Sequence, residues 1–217
     1  MSLIQRKPLS IGRAQRERRD DRVFVLATED RYAPEQYFAY LSLPRVKVIV
    51  LPTLEDCLSA PEHVVDRLKE AFAAVKKKDE VQTGDEFWVC LDTDHHIKNT
   101  HLKGTLAALK TARQVGFDVA MSNPCFEVWL LLHHVEASAC GALTNATSVE
   151  TELKRVLGGY DKTSLQPGMF PLSTVPTAIT RARALETSPD DPGDYWPETT
   201  GTRIYRILER VLKGTAP

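Results

Sequence analysis

The chain has 217 residues, of which 42% are hydrophobic and 26% are charged, and its formal net charge at pH 7 is −1. This composition is typical of an ordinary globular domain, and it excludes a protein that is held to nucleic acid or membrane by bulk charge alone. No run approaches the roughly 18 consecutive apolar residues of a membrane-spanning helix, and the first residues, MSLIQRKPLS, lack the apolar segment of a secretory signal.

Cysteine usage favours a cytoplasmic location. The four cysteines are scattered along the chain and form no Cys-x-x-Cys pair for zinc or redox chemistry. Cys90 and Cys125 lie within apolar runs, which is typical of small buried hydrophobic residues. We therefore expect free thiols rather than a disulfide framework.

Residues 1–22 form a basic N-terminal arm. They carry seven basic and three acidic side chains, so the arm has a net charge of +4 and the rest of the chain a net charge of −5. Two interpretations stay open for this arm. It is either a solvated tail or a segment that binds the phosphates of a nucleic acid electrostatically.

Short apolar runs alternate with helical patterns after the arm. Strands are predicted over residues 23–28, 46–51, 87–91 and 119–121. Helices are predicted over residues 34–41, 59–78, 102–109 and 125–134. This alternation predicts an α/β fold with a mostly parallel central sheet that is covered on both faces by helices.

The helix predicted over residues 125–134 is apolar on nearly all sides, so we expect it to be buried. Asn123 and Pro124 precede it and have the residue types of a helix N-cap and a first helical position. His133 and His134 close this helix and are interpreted as cations that its negative C-terminus favours.

The pattern changes to helices and loops after residue 137. Helices are predicted over residues 149–157, 174–185 and 202–212, and residues 188–201 are rich in Pro, Asp and Gly, which is typical of a loop. We therefore predict an arm at 1–22, an α/β core at 23–137 and a mainly helical C-terminal extension at 138–217 that packs on the core.

Polar residues follow three of the four predicted strands. Glu29 follows the first strand, Asp92 and Asp94 follow the third, and Asn123 follows the fourth. Glu127 lies one helical turn after Asn123. Ligands of open α/β sheets bind beyond the carboxyl ends of the strands, so we expect these side chains to form a site there.

Asp92 and Asp94 have the spacing of an Asp-x-Asp motif, which can hold a divalent cation. Mg²⁺ favours one or two carboxylates together with substrate phosphates. Carboxylates placed side by side raise each other's pKa, and a cation removes that penalty. The alternative interpretation is that one of the two aspartates only caps the following helix.

Glu127 and the His95–His96 pair are further candidates. Glu127 lies in the apolar helix, where an unpaired carboxylate is costly, so we expect a cation or a hydrogen-bond donor beside it. An ion pair with an arginine is the structural alternative. His95 and His96 follow the Asp-x-Asp motif and either assist acid–base chemistry and metal binding or lie exposed in a loop.

Three segments resemble the RloB-like family, which comprises bacterial proteins with a Toprim-type catalytic domain. Residues 122–133, SNPCFEVWLLLH, are similar to the family's S-N-P-C-F-E-x-W-L-x-L-H signature nearly letter for letter. Residues 91–96, LDTDHH, resemble its F-D-x-D-D-H segment. Glu29 with Tyr37 and Phe38 resembles its acidic strand end followed by Tyr-Phe.

The likeness continues into the C-terminal part and departs in the first motif. Tyr160 and Lys162 resemble a Tyr-x-Lys element. Family members read C-E-G-E-K-T-E-P-x-Y-F where residues 28–38 read TEDRYAPEQYF. Glu29 keeps the first acidic position, but Asp30 replaces the glycine and Tyr32 the lysine. A lost glycine stiffens or re-aims the turn after the first strand.

The resemblance implies a Toprim-like nuclease that uses Mg²⁺ or Mn²⁺ to cleave DNA or RNA phosphodiesters. Its context would be bacterial anti-phage defence by abortive infection, with an ABC-type ATPase encoded nearby as a partner and no membrane partner; homo-oligomerisation stays open. Glu29, Asp92 and Asp94 would bind the metal and, with Glu127, form the catalytic set. The residues that would contact substrate are Lys162, His95 and Asn123.

Two other function classes stay open. The first is a catalytically altered or inactive subunit that binds and regulates together with the ATPase, and the altered segment at residues 29–35 favours it. The second is a sugar-nucleotide transferase, because such enzymes also hold a divalent ion with Asp-x-Asp after a strand. The segment at residues 122–133 gives the transferase interpretation no support.

Overall fold

The computed structural model describes residues 19–53, 60–78, 80–94, 97, 101–186 and 195–213. The strands in this part of the chain are β1 (Arg22–Thr28), β2 (Val46–Val50), β3 (Glu86–Asp92), β4 (Asp118–Asn123) and β5 (Gly201–Thr202). The α-helices there are α1 (Ala33–Ala39), α2 (Pro61–Lys77), α3 (His101–Val115), α4 (Glu127–Leu132), α5 (Ala137–Cys140), α6 (Ala146–Leu157), α7 (Val175–Ala184) and α8 (Ile204–Lys213). The predicted α/β class is therefore confirmed.

The five strands form one mixed sheet in the order β2-β1-β3-β4-β5. The first four strands run parallel, as the alternation of strands and helices predicted, and β5 pairs antiparallel with the end of β4. Because parallel strands need crossovers, helices connect them and cover the sheet. The carboxyl ends of β1, β3 and β4 consequently meet at one edge.

Alternate side chains of each strand enter two separate cores, as the pleat of a strand requires. Phe24 and Leu26 of β1 face one core, which α1, α4, α6, α7 and α8 complete. Val25 and Ala27 face the other core, which α2 and α3 complete. The sheet is thus the middle layer of three, and the C-terminal extension supplies much of one outer layer.

The structure corrects the prediction for the end of β4. Asn123 is the last residue of that strand, and the Asn123–Pro124 peptide bond is cis. The next helix, α4, begins only at Glu127, with Phe126 as its N-cap. The prediction of a helix that starts at Cys125 with Asn123 as its N-cap is therefore wrong. The predicted burial of this segment is confirmed, because every residue of α4 is buried.

The structure also corrects the interpretation of His133. This residue lies in the interior, where its Nε2 is 3.2 Å from the hydroxyl of Tyr37 and its Nδ1 is 2.7 Å from the hydroxyl of Thr174. Burial, together with the positive charges of His134 and Arg181, lowers the pKa of His133 to about 3. His133 is therefore a neutral hydrogen-bonding residue at pH 7 and not a cation at a helix end.

The two ends of the chain differ from the predicted boundaries in detail. Arg22, assigned to the basic arm, begins β1, and residues 1–18 of the arm lie outside the described residues. Strand β5 was not predicted, because two residues carry no periodicity. Cys90, Cys125 and Cys140 are buried free thiols, and Cys57 lies outside the described part. Within the described chain, no helix has the length and apolar character needed to cross a membrane.

Candidate functional site

An acidic cleft of about 280 Å³ opens at the carboxyl edge of the sheet. It is lined by Glu29, Asp30, Arg31, Tyr32, Asp92, Asp94, Cys125, Glu127, Ala146, Glu150 and Lys162. The four residues predicted as the catalytic set, Glu29, Asp92, Asp94 and Glu127, are all among them. This is the edge where ligands of open α/β sheets bind.

The pairing of β1 with β3 brings Glu29 and Asp92 together. Thr28, the last residue of β1, is the register partner of Cys90, two residues before the end of β3, so Glu29 leaves β1 beside the last residues of β3. The backbone N–H of Glu29 donates to the carbonyl of Cys90 at 3.1 Å. The backbone N–H of Asp92 donates to Oε2 of Glu29 at 3.2 Å. Glu29 is therefore fixed against the start of the Asp-x-Asp turn.

The Asp-x-Asp turn is anchored to the end of β4 through its middle residue. The N–H of Thr93 donates to the carbonyls of Ser122 and Pro124, at 3.0 and 3.1 Å, and the N–H of Asp94 donates to Pro124 at 3.2 Å. These hydrogen bonds join the turn after β3 to the end of β4. The side chains of Asp92 and Asp94 line the cleft. Helix α3 is described from His101 onward. Residues 95–96 and 98–100 lie outside the described residues, so the interpretation of one aspartate as a cap of that helix stays a prediction.

Asn123 holds the same turn from the other side and does not line the cleft. Its Oδ1 accepts a hydrogen bond from the hydroxyl of Thr93 at 2.9 Å, and its Nδ2 donates to the carbonyl of Pro197 at 2.9 Å. Its amide is thus occupied by protein groups, and its contact with substrate stays a prediction. His95 lies outside the described residues.

Glu127 is the buried carboxylate of the cleft, with 7% of its surface exposed. A buried carboxylate requires a donor, and the hydroxyl of Tyr160 supplies one by donating to Oε1 at 3.0 Å. The thiol of Cys125 is a second hydrogen-bonding neighbour. The hydrogen-bond donor that we expect beside Glu127 from the sequence is therefore Tyr160, a residue of the C-terminal extension.

The cleft concentrates negative charge. Burial raises the pKa of Asp92 well above its usual range, and the charges of Glu29 and Glu127 raise it further. Burial and then the charge of Asp30 likewise raise the pKa of Glu127. Desolvated carboxylates that repel each other favour either protons or cations. This arrangement suits a cationic ligand.

Asp30 and Lys162 form an ion pair across the cleft that sequence reasoning did not foresee. Oδ2 of Asp30 is 3.5 Å from Nζ of Lys162. Oδ1 of Asp30 accepts the N–H groups of Tyr32 and Ala33, at 2.7 and 3.0 Å, and so starts α1. An aspartate three residues before a helix is a signal for such a turn. The residue at the family's glycine position therefore organises the loop locally.

Lys162 and Tyr160 come from a segment that follows α6. Helix α6 ends before Gly158, whose left-handed backbone (φ +70°) reverses the chain as C-terminal glycines do. Gln36 of α1 then fixes the segment: its Nε2 donates to the carbonyl of Lys162 at 2.8 Å, and its Oε1 accepts the N–H of Leu165 at 2.9 Å. Contacts between residues so distant in sequence leave no local signal.

A larger groove of about 920 Å³ lies at the opposite, amino-terminal edge of the sheet. Val23, Lys47 and Phe87, which lie near the starts of three strands, line it. Its carboxylate Asp85 already pairs with Arg19 at 2.6 Å and accepts the N–H of Val23 at 3.0 Å. Asp85 is therefore already paired, and the acidic cleft, which gathers the predicted carboxylates, is the better candidate site.

The donor set of the cleft fits a hard cation incompletely. Oxygen ligands such as these carboxylates are what Mg²⁺ selects. Across the residues that the structure describes, however, no three His, Cys, Asp or Glu side chains are arranged to hold a metal ion. Mg²⁺ commonly binds with one or two carboxylates, water and substrate phosphates. Two carboxylates of the cleft would thus leave the other coordination positions of Mg²⁺ to water or to a phosphate.

The family model described as "RloB-like protein" matches residues 24–211. The chain belongs to the RloB-like protein family. The matched range of this RloB-like chain runs from β1 to α8, so it contains the acidic cleft and the extension segment that supplies Tyr160 and Lys162. No curated protein and no solved structure matches the chain.

Proposed function

We propose that this RloB-like protein is a Mg²⁺-dependent, Toprim-like nuclease that cleaves nucleic-acid phosphodiesters in a bacterial anti-phage defence system. One observation carries the proposal: Glu29, Asp92, Asp94 and Glu127, which come from three separate elements, line one cleft at the carboxyl edge of the sheet. Elements far apart in sequence rarely concentrate carboxylates without a cationic ligand, because the repulsion costs stability.

The proposed roles follow from the contacts of each carboxylate. Glu29, Asp92 and Asp94 are the proposed ligands, one or two of which would hold Mg²⁺ or Mn²⁺ together with water and the substrate phosphate. The metal would neutralise charge on the attacked phosphate. Glu127 would orient these groups or transfer a proton. Lys162 is half-exposed, and its bond to Asp30 is long at 3.5 Å, so its ammonium is available to a substrate phosphate.

The net charge of the cleft also constrains how nucleic acid would bind. A polyanion does not approach a group of carboxylates unless cations compensate them, so we expect binding at this site to require the metal. The basic arm at residues 1–22 would add a second, salt-dependent attachment. An ABC-type ATPase partner and a cytoplasmic location complete the proposed context.

Cleavage assays on the purified chain test the proposal. Duplex DNA, single-stranded DNA, RNA and tRNA are incubated with Mg²⁺, with Mn²⁺ or with EDTA. We expect metal-dependent cleavage of at least one substrate and a loss of about 100-fold or more in Asp92→Asn, because one charge-stabilising group is removed. The matched control is Asp66→Asn, which alters an exposed aspartate of α2 that pairs with Lys69 at the surface. Equal cleavage by wild type and Asp92→Asn would identify a contaminant and overturn the proposal.

The second candidate function is a regulatory subunit that binds nucleic acid or the ATPase without cleaving. The Asp30–Lys162 pair favours it, since a lysine held by the residue at the family's glycine position is partly neutralised. The same assays separate the two functions. Binding that is equal in Mg²⁺ and EDTA, with all four substrates left intact, supports the regulatory subunit and contradicts the nuclease.

A further inference from the structure

Tyr160 contacts a carboxylate of the acidic cleft from the C-terminal extension. Its hydroxyl donates to Oε1 of Glu127 at 3.0 Å, and its ring is half-buried behind that carboxylate. Glu127 is itself 7% exposed and lies at the start of α4, where its neighbours are apolar. One oxygen of Glu127 is thus held by a group that lies 33 residues further along the chain.

The direction of this hydrogen bond is fixed by chemistry. Burial raises the pKa of Tyr160, and the adjacent charge of Glu127 raises it further, so the phenol keeps its proton and donates. A donor held against a carboxylate stabilises its charged form and restricts its rotation. Tyr160 therefore counteracts the burial and the charge of Asp30 that both raise the pKa of Glu127.

The backbone around Tyr160 keeps this donor in place. Two positive-φ glycines, Gly158 and Gly159, turn the chain after α6. The carbonyl of Lys162 is then held by Nε2 of Gln36 at 2.8 Å. Gln36 belongs to α1, the helix that directly follows the Glu29–Asp30 loop. The segment that presents Tyr160 is therefore fixed to the same part of the core that presents Glu29.

We propose that Tyr160 is a positioning residue of the acidic cleft: its hydroxyl holds the Glu127 carboxylate in one orientation for the cation and phosphate bound there. This inference rests on the proposed function and extends it to a residue of the extension. The competing interpretation is that Tyr160 only attaches the extension to the core.

Tyr160→Phe tests the inference, because it removes the hydroxyl and keeps the ring. Mn²⁺ binding is measured by calorimetry without nucleic acid, and cleavage is measured as kcat and KM. We expect Mn²⁺ to bind about 10-fold more weakly, as for other residues that orient metal ligands. We also expect kcat to fall by a similar factor while KM for nucleic acid stays within about twofold, since the hydroxyl does not contact the substrate.

Two further variants make the result specific. Tyr205→Phe is the matched control, because the Tyr205 hydroxyl also donates to a buried glutamate, Glu186, at 3.4 Å, and neither residue lines the cleft. It should bind Mn²⁺ as wild type does. Glu127→Gln combined with Tyr160→Phe should bind Mn²⁺ no more weakly than Glu127→Gln alone, because Tyr160 acts through Glu127.

Each outcome bears on the inference. Mn²⁺ binding by wild type that Tyr160→Phe leaves unchanged overturns the positioning role and leaves the nuclease proposal standing. Wild-type protein that binds no Mn²⁺ and cleaves no substrate overturns both. Additive losses in the double variant, accompanied by a lower melting temperature of Tyr160→Phe without metal, identify a purely structural attachment and also overturn it.

Discussion

At the scale of single residues, several interior polar side chains are satisfied by one or two dedicated partners. His133 is an example, since it bridges the hydroxyls of Tyr37 and Thr174 within a group of aromatic rings. A neutral imidazole can accept at one nitrogen and donate at the other, which suits this bridge. Protonation of His133 would place a charge in the core, so the free energy of unfolding depends on pH through this residue.

His133→Gln should remove that coupling. The pKa of His133 is about 3 in the folded chain and 6.5 when unperturbed. Only the unfolded chain binds this proton between those values, so wild-type stability decreases as pH falls through that window. The advantage of wild type over His133→Gln should therefore shrink by about 2 kcal/mol between pH 7 and pH 5. Urea unfolding at both pH values measures it.

A suitable reference is His63→Gln, which alters an exposed histidine of α2. Measured at the same two pH values, this variant shows the effect of replacing an exposed histidine. A stability difference for His133→Gln that stays constant between pH 7 and pH 5 would show that His133 is not held neutral in the folded chain.

At the scale of elements, a buried ion pair joins the end of α7 to the start of α8. Nη2 of Arg203 is 3.1 Å from Oε1 of Glu186, and the two side chains are only 1% and 2% exposed. The N–H of Arg203 also donates to the carbonyl of Met121 at 2.8 Å, which extends the contact of β5 with β4. This pair therefore fixes the extension to the edge of the sheet.

Arg203→Ala should destabilise the fold strongly, because it leaves the buried Glu186 without its main partner. We expect a loss of about 3 kcal/mol in the free energy of unfolding, at the lower end for a broken buried ion pair. The loss is limited because Arg206, 3.4 Å from Glu186, still compensates part of its charge. Urea denaturation followed by circular dichroism measures this loss. Arg155→Ala is the control, because its pair with Glu152 is exposed at the surface and should contribute little. Similar losses in both variants would contradict the assignment of Arg203 as a fold-linking residue.

At the scale of the whole molecule, the extension completes the core. Its helices α6, α7 and α8 contribute apolar side chains to the same core as Phe24 and Trp88 of the sheet. Without them, α1 and α4 would cover this core only in part, and apolar side chains would be exposed to water. The helices that follow residue 137 thus share one core with the strands that precede it.

The described chain should unfold in a single cooperative transition. Tryptophan fluorescence, which includes Trp88 in β3 and Trp129 in α4, should change at the same urea concentration as circular dichroism, which reports all helices. A chain shortened to residues 1–137 should show no cooperative transition, because the exposed apolar face cannot be buried. Two separate transitions in the full chain would contradict this prediction.

The sequence predicted the regular elements well and the junctions poorly. Strands β1 to β4 and the helices of both faces follow from apolar periodicity, which burial in two cores imposes. The start of α4 was misplaced, because Asn123–Pro124 imitates a helix start and instead ends a strand with a cis bond. Strand β5 owes its place to pairing with β4, which no local pattern encodes.

The candidate site was predictable in its acidic residues but not in their partners. Glu29, Asp92 and Asp94 follow strands, so the rule for parallel sheets was sufficient to bring them to one edge. Tyr160 and Lys162 were known only as a faint family likeness, and their contacts depend on how α6 and α1 pack. The sequence shows Asp30 only as the replacement of a family glycine, whereas in the structure its carboxylate forms an ion pair with Lys162.

Two buried thiols beside the cleft, Cys90 and Cys125, can report when this edge of the sheet becomes exposed to solvent. Cys125 lies beside Glu127 and Cys90 lies two residues before Asp92, and burial raises the pKa of each thiol. Alkylating reagents attack thiolates, so both sulfurs are protected from alkylation as long as they stay buried in the folded chain. In a Cys57→Ser background, the rate of alkylation of Cys90 and Cys125 would thus report the exposure of the carboxyl edge of the sheet. Peptide mapping distinguishes these two thiols from Cys140.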